Sequence, residues 1–289
     1  MCGRYILVTT LEKIEDKFGL PPQHISLEPD YNISAGHLAA VITDEKPKEI
    51  QFYTFGMTPF WAKREMLLVN ARGEGDSNRA DTPGFRGAMG IIQKPAFRKP
   101  IRSQRCLVLA SAFIEGPREA GLTKPFLIYL RNHQNPFAFA GIWDIWLDPQ
   151  TGEEVASFSI ITTTANTLLQ KIGNPRMPVI LDGKEAKKWI RTESHLSEII
   201  PMLNPYDSRL MNAYPLDPGI KNPEVNNKSL ILPAGKRLYD ESEPKAAPQV
   251  ATRGYHQNRK AATAGDKTST MGDRMDQASP EDSNPENMQ

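Results

Sequence analysis

The group best suited to covalent chemistry stands second in the chain. The sequence opens Met-Cys-Gly-Arg-Tyr, so removal of Met1 leaves Cys2 with a free α-amino group. An N-terminal cysteine is a 1,2-aminothiol, carrying an amine of pKa about 8 and a thiol of about 8.5 on adjacent carbons. With an aldehyde, the amine forms an imine and the thiol closes onto the imine carbon, giving a five-membered thiazolidine. An internal cysteine gives only a labile hemithioacetal. Such nucleophilic capture needs a neighbour that donates and accepts protons. The plain alternative is a disordered N-terminus with an incidental thiol.

Groups for proton transfer and binding are scattered along the chain, as in a site assembled from several strands. They are Asn70 and Arg72 in VNARGE, Glu115 in SAFIEGPR, and Asn174 with Arg176 in GNPRMPVIL. Glu115 follows the apolar run CLVLASAFI, which puts it at a strand end, partly desolvated, with its pKa raised toward neutrality. Taken singly, each has an ordinary reading: a paired structural glutamate, surface arginines, asparagines that cap turns. The stretch from Arg86 to Arg105 carries six basic residues, Arg98 and Lys99 among them, and no acidic one. It reads either as a surface that tracks a phosphate backbone or as a solvated loop.

Short apolar runs must hold these residues. EIQFYTF, CLVLASAFI, PFLIYL, FAFAGIW and EVASFSIITTT are rich in β-branched and aromatic residues and bounded by turn formers, which predicts strands. LEKIEDKF places Leu11, Ile14 and Phe18 on one helical face, and EAKKWI and HLSEIIPML extend the helical pattern after RMPVIL. Strands in the middle with helices at the edges predict an α+β domain over 1–238. From 239 to 289 the sequence turns to Pro, Ser, Gln, Asn, Lys and Glu, too polar to offset chain entropy, which predicts a disordered tail.

Composition narrows the function. At 289 residues and a formal net charge of +1, with nine acidic and six basic side chains from 240 onward, the positive charge is local. Two cysteines, Cys2 and Cys106, make no disulfide framework and match no zinc spacing, and the five histidines fall in no recognisable motif. No metal or cofactor is expected. Without a leader pattern or a membrane-length apolar run, a cytoplasmic protein is the expectation, with a monomer as the default.

The motifs together resemble the SRAP family (SOS-response-associated peptidase), the abasic-site processing proteins. MCGRY is similar to the family's start, VNARGE to N-A-R-x-E, RCLVLASAFIEG to R-R-C-L-x-P-x-x-G-F-Y-E-W, and NPRMPVIL to H-x-R-M-P. FAFAGIWDIW and SIITTTAN are similar to two further stretches, so the resemblance runs from Cys2 to about Pro233. It implies an antiparallel, barrel-like sheet flanked by helices and a sensor of abasic sites in single-stranded DNA, crosslinked through a thiazolidine at Cys2. It further implies that Asn70 holds the N-terminus and the sugar, and that Glu115 is the acid/base. Arg4, Arg72 and Arg176 match positions that contact phosphates, and Trp61 in PFWAK stacks beside the lesion. The family's peptidase label implies release of Met1, by the chain itself or by a methionine aminopeptidase.

Three departures carry expectations of their own. Asn174 replaces the motif's histidine, and an amide hydrogen-bonds but cannot exchange a proton near neutral pH. Ile114 and Gly116 replace aromatic neighbours of Glu115, which predicts a better hydrated carboxyl. YNISA lacks the proline of Y-N-I-A-P, which predicts a looser loop. Two rival readings stay open: a single-strand-binding module with an idle Cys2, and an N-terminal-cysteine amidohydrolase, whose chemistry needs an N-G pair that the sequence lacks and an R-G clamp, where Arg72-Gly73 lies inside the NARGE motif.

Overall fold

The computed structural model describes residues 2–85, 87, 89–131 and 134–241. In chain order the strands are β1 (Arg4–Leu7), β2 (Asp30–Ser34), β3 (Leu38–Thr43), β4 (Gln51–Phe55), β5 (Asn70–Arg72), β6 (Arg105–Ala110) and β7 (Ala112–Glu115). They continue as β8 (Phe126–Leu130), β9 (Phe137–Leu147), β10 (Glu154–Thr164), β11 (Arg176–Pro178), β12 (Ile180–Leu181) and β13 (Met211–Pro215). The helices are α1 (Leu11–Phe18), α2 (Pro100–Ser103), α3 (Thr167–Ile172), α4 (Gly183–Trp189) and α5 (Leu196–Ile199).

Strands β10, β4, β3, β6 and β9 close into a barrel, because β9 pairs back onto β10. Four of its seams are antiparallel and the fifth, β10–β4, is parallel. Parity requires this: a closed ring with an odd number of strands cannot alternate direction at every step. The barrel interior takes Phe55, Phe139 and Phe158, with Phe55 stacked on Phe158 at 5.2 Å. Helices α2 and α4 cover β6 and β9 from outside. Burial on both faces is why these strands read as continuous apolar runs rather than alternating ones.

The run CLVLASAFI is two strands, not one. The chain leaves the barrel at Ser111, whose N–H donates to Ile6 O (2.8 Å) and whose hydroxyl accepts from Val8 N (2.9 Å). It then enters a second, fully antiparallel sheet ordered β13-β8-β7-β1-β2. Tyr5 and Phe113 from this sheet meet the barrel aromatics edge-on at 5.4–5.9 Å, the geometry aromatic quadrupoles favour. Its other face buries Ile6, Ala112, Ile114 and Leu127 against Leu216, Ile220 and Leu230, a small second cluster that the strand patterning does not reveal.

YNISA, expected as a loop, is mostly strand: β2 pairs with β1, and the following turn is closed by Gly36 N to Phe55 O (2.8 Å) and His37 N to Ser34 O (3.0 Å). One compact unit spans Met1–Glu243. Tyr239 O accepts from Asn212 Nδ2 at 2.8 Å; of the tail predicted over 239–289, residues 242–289 lie outside the described residues. No helix among them is long and apolar enough to cross a membrane.

Arg105, the last member of the basic stretch, is fully buried. Its guanidinium donates to Trp189 O (2.6 Å), Arg191 O (2.6 Å), Arg102 O (2.5 Å) and Ile101 O (3.3 Å), satisfying carbonyls at the ends of α2 and α4 that the helices leave open. Removing the charge orphans these buried carbonyls and takes a positive charge from the neighbourhood of buried Asp44, so Arg105→Met is expected to lower unfolding free energy by about 3–5 kcal/mol. Chemical denaturation checks this; a loss within experimental error contradicts it.

Candidate active site

Cys2 is buried where β1 begins. Tyr5 pairs with Phe113, and the same antiparallel register carried two residues further sets Glu115 opposite Gly3, beside Cys2. Glu115 shares the inward face of β7 with Phe113, while Ile114 points into the outer cluster. The expected hydration of Glu115 is therefore corrected: the carboxyl is buried, and burial raises its pKa to about 7. Replacing the tyrosine by Ile114 leaves it dry because that side chain faces away. Gly116 has a different cause, since a Cβ there would lie 1.9 Å from Gly121 O; the chain folds back too closely for any side chain.

Burial also pushes the Cys2 thiol well up, and the Glu115 carboxylate adds to the shift. Cys106 is raised by burial as well, and it packs against Gly141 across β6–β9, where an added Cβ would meet its Sγ at 2.6 Å. Its role is packing.

Asn174 reaches Glu115 through a helix ending. Helix α3, N-capped by Asn166, stops at Gly173, whose left-handed φ of 88° lets Asn174 N–H bond back to Leu169 O at 2.9 Å. The Asn174 amide is then fully engaged. Its Nδ2 donates to Glu115 Oε2 (2.8 Å) and Gly116 O (3.0 Å), and its Oδ1 accepts from Arg176 N (3.0 Å). The amide orients the carboxyl and, unlike an imidazole, exchanges no proton near neutral pH.

Asn70, Arg72 and Arg176 are gathered by the end of β10. This strand outruns the barrel: past β4 it pairs with β5, and past β9 with β11. Asn70 and Arg72 lie on one face of β5, and Asn70 Oδ1 is buried without a hydrogen-bond partner among the described residues. Arg176 is only 3% exposed, with Nη1 2.9 Å from Glu74 Oε2 and 3.4 Å from Asp81 Oδ1, and Nη2 donating to Thr162 Oγ1 at 2.9 Å. Arg72, 28% exposed, pairs with the same Asp81 oxygen at 3.0 Å. In this arrangement the Arg176 guanidinium faces carboxylates and reaches no open surface.

The remaining expected binding residues lie elsewhere. Arg4 donates to Asn32 Oδ1 (2.7 Å) and Lys221 O (2.9 Å), tying β1 to β2 and to the 218–221 turn. Trp61 is 48% exposed on a segment fixed to β9 by Phe60 N to Asp144 Oδ2 (2.9 Å) and Trp146 Nε1 to Ala62 O (2.7 Å). Its neighbour Phe60 lies under Lys99, 4.7 Å from Nζ to ring centroid. The basic stretch does not act as one patch: Arg98 and Lys99 are exposed, Lys94 pairs with Asp76, Arg105 is buried, and Arg86 lies outside the described residues. Sequence reasoning missed Glu74, Asp81 and Arg118. Glu74 is the acidic position of the N-A-R-x-E motif and so carried a signal; the other two carried none.

The motif order and this geometry agree with a comparison to known families, in which the description SOS response associated peptidase (SRAP) matches residues 1–223. The chain belongs to the SRAP family. It is 32% identical over 240 residues to the abasic site processing protein YoqW of Bacillus subtilis (strain 168), covering 80% of this chain and 99% of that one. With the abasic site processing protein HMCES of Rattus norvegicus it shares 30% identity over 224 residues, 67% of this chain and 58% of HMCES. An X-ray structure of a protein from Bacteroides thetaiotaomicron superposes with a TM-score of 0.67 at 29% identity, covering 81% of this chain and all of that one.

Proposed function

We propose that this chain captures abasic sites in single-stranded DNA through a thiazolidine at Cys2, once Met1 has been released. The observation that carries the reading is a buried carboxyl of pKa about 7 beside the one residue able to present an amine and a thiol together. Relatives named abasic site processing proteins support the substrate class.

The state of the thiol orders the steps. With its pKa held well up by burial, Cys2 enters as a thiol, so the freed amine attacks first. Its lone pair adds to the aldehyde carbon of the ring-opened deoxyribose; the carbinolamine takes a proton from Glu115 and loses water, leaving a protonated imine. Glu115, now a carboxylate, accepts the thiol proton as sulfur bonds to the imine carbon, and the nitrogen takes up the imine π electrons and keeps the proton it already carries. The sum is aldehyde plus aminothiol giving thiazolidine plus one water. A carboxyl that is half-protonated near neutral pH serves both steps. Asn174 holds it in place, and Asn70 Oδ1 offers an acceptor for the amine.

Arg72, Arg98 and Lys99 attract the phosphates and Trp61 stacks on a neighbouring base. The test is to mix Met1-free protein with an abasic-site oligonucleotide and look for a band that survives heat and detergent. The band is expected with wild type and absent with Cys2→Ala; an equal band from Cys2→Ala overturns the proposal.

A further inference from the structure

Asp81 is a carboxylate held by three arginines. Its side chain is 3% exposed and its backbone sits at a left-handed φ of 56°. Oδ1 lies 3.0 Å from Arg72 Nη2 and 3.4 Å from Arg176 Nη1, and Oδ2 lies 3.4 Å from Arg118 Nη1. Glu74 neutralises part of Arg176. Three guanidiniums face two carboxylates, which leaves one positive charge in excess.

Arg118 connects this cluster to the capture chemistry. It follows Glu115 by three residues, and its N–H donates to Gly173 O at 2.9 Å, beside Asn174. Its side chain is 62% exposed, and Arg72 is 28% exposed, so the cluster has an open side. The segment that brings Asp81 in is closed on itself by Thr82 N to Asn78 Oδ1 (2.9 Å), and Arg72 Nη1 donates to Asn78 O (2.9 Å). Arg72 thus holds both the carboxylate and the backbone that carries it.

A phosphodiester presents what Asp81 presents: one negative charge shared by two oxygens, matched to the guanidinium fork. We propose that Arg118 joins Arg72 in the seat for a DNA phosphodiester, and that Asp81 occupies this seat in the free protein until the strand displaces it. The identity of the strand as DNA rests on the proposed function, but the seat is tested without an abasic site. The opposing account is that Asp81 stays in place and merely aims the arginines, and the two accounts predict opposite signs for one substitution.

The experiment measures binding of an undamaged single-stranded oligonucleotide by fluorescence anisotropy over a range of salt. If Asp81 competes with phosphate, Asp81→Asn binds about tenfold tighter or more, because the occupied seat reduces apparent affinity by the fraction of protein that is open. Its salt slope also steepens by about 0.7 per phosphate, since arginines freed of an internal counterion must release dissolved ones. Weaker or unchanged binding by folded Asp81→Asn overturns the proposal. Should circular dichroism show that variant unfolded, Arg118→Gln decides on its own: several-fold weaker binding supports the seat, and wild-type affinity overturns it. Loss of covalent capture with these binding shifts intact would count against Cys2 chemistry alone.

Discussion

Glu115→Gln is expected to slow adduct formation about 10²–10⁴-fold, the usual contribution of a positioned acid/base group, with binding of undamaged single strands unchanged. The amide keeps the acceptor for Asn174 Nδ2 but can neither protonate the leaving water nor take the thiol proton. In the proposed mechanism the wild-type rate requires a protonated Glu115, with a pKa of about 7, and an unprotonated amine, with a pKa of about 8. It therefore passes through a maximum between these values and falls on both sides. The alkaline limb is expected to vanish in Glu115→Gln; a variant rate within twofold of wild type, or an unchanged profile, removes Glu115 from the mechanism. The same substitution is expected to stabilise the fold. A carboxyl raised from 4.5 to about 7 favours folding fully below its unfolded pKa, and that contribution is lost as pH rises through about 7. At about pH 8 the variant should exceed wild type by about 2–3 kcal/mol in denaturant titrations, and the two should converge in mild acid.

Asn174→His is expected to accelerate both formation and reversal of the adduct by about 10²-fold, with a new dependence near the imidazole pKa of about 6.5. The wild-type amide donates to Glu115 and Gly116 and accepts from Arg176 N–H, leaving it no proton to exchange. Reopening the thiazolidine requires protonation of its sulfur or nitrogen, so a site with one acid/base group reopens slowly. The wild-type adduct is accordingly expected to persist, and a pulse-chase of crosslinked oligonucleotide measures how long. Formation and reversal rates that match wild type at every pH would show that this position moves no proton in either direction.

How much of this could be read in the sequence differs from element to element. Strand β10 was legible residue for residue because it is long, β-branched and bounded by turns, and α1 because Leu11, Ile14 and Phe18 repeat at helical spacing. Strands β5, β11 and β12 were not, because three or two residues carry no periodicity and exist only through pairing with β10 and β9. The break at Ser111 was hidden for another reason: both sheets bury that stretch, so hydrophobicity is continuous while the chain changes sheet. Cys2 and Glu115 were legible from chemistry and strand position. The arginines were read as open cations because their counter-charges, Asp81 and Glu74, come from a loop whose path leaves no local pattern. Gly116 looked like a lost aromatic and is a steric requirement of the turn to Gly121.

Capture as proposed forms one covalent bond system at one residue, and mass spectrometry of the purified adduct reads out that residue. After nuclease and protease digestion, the N-terminal peptide beginning at Cys2 should carry the deoxyribose remnant with the loss of one water, both its amine and its thiol should resist alkylation, and no peptide containing Cys106 or a lysine should be modified. An adduct located on any other residue, or a Cys2 peptide retaining a free thiol beside a modified amine, contradicts thiazolidine capture.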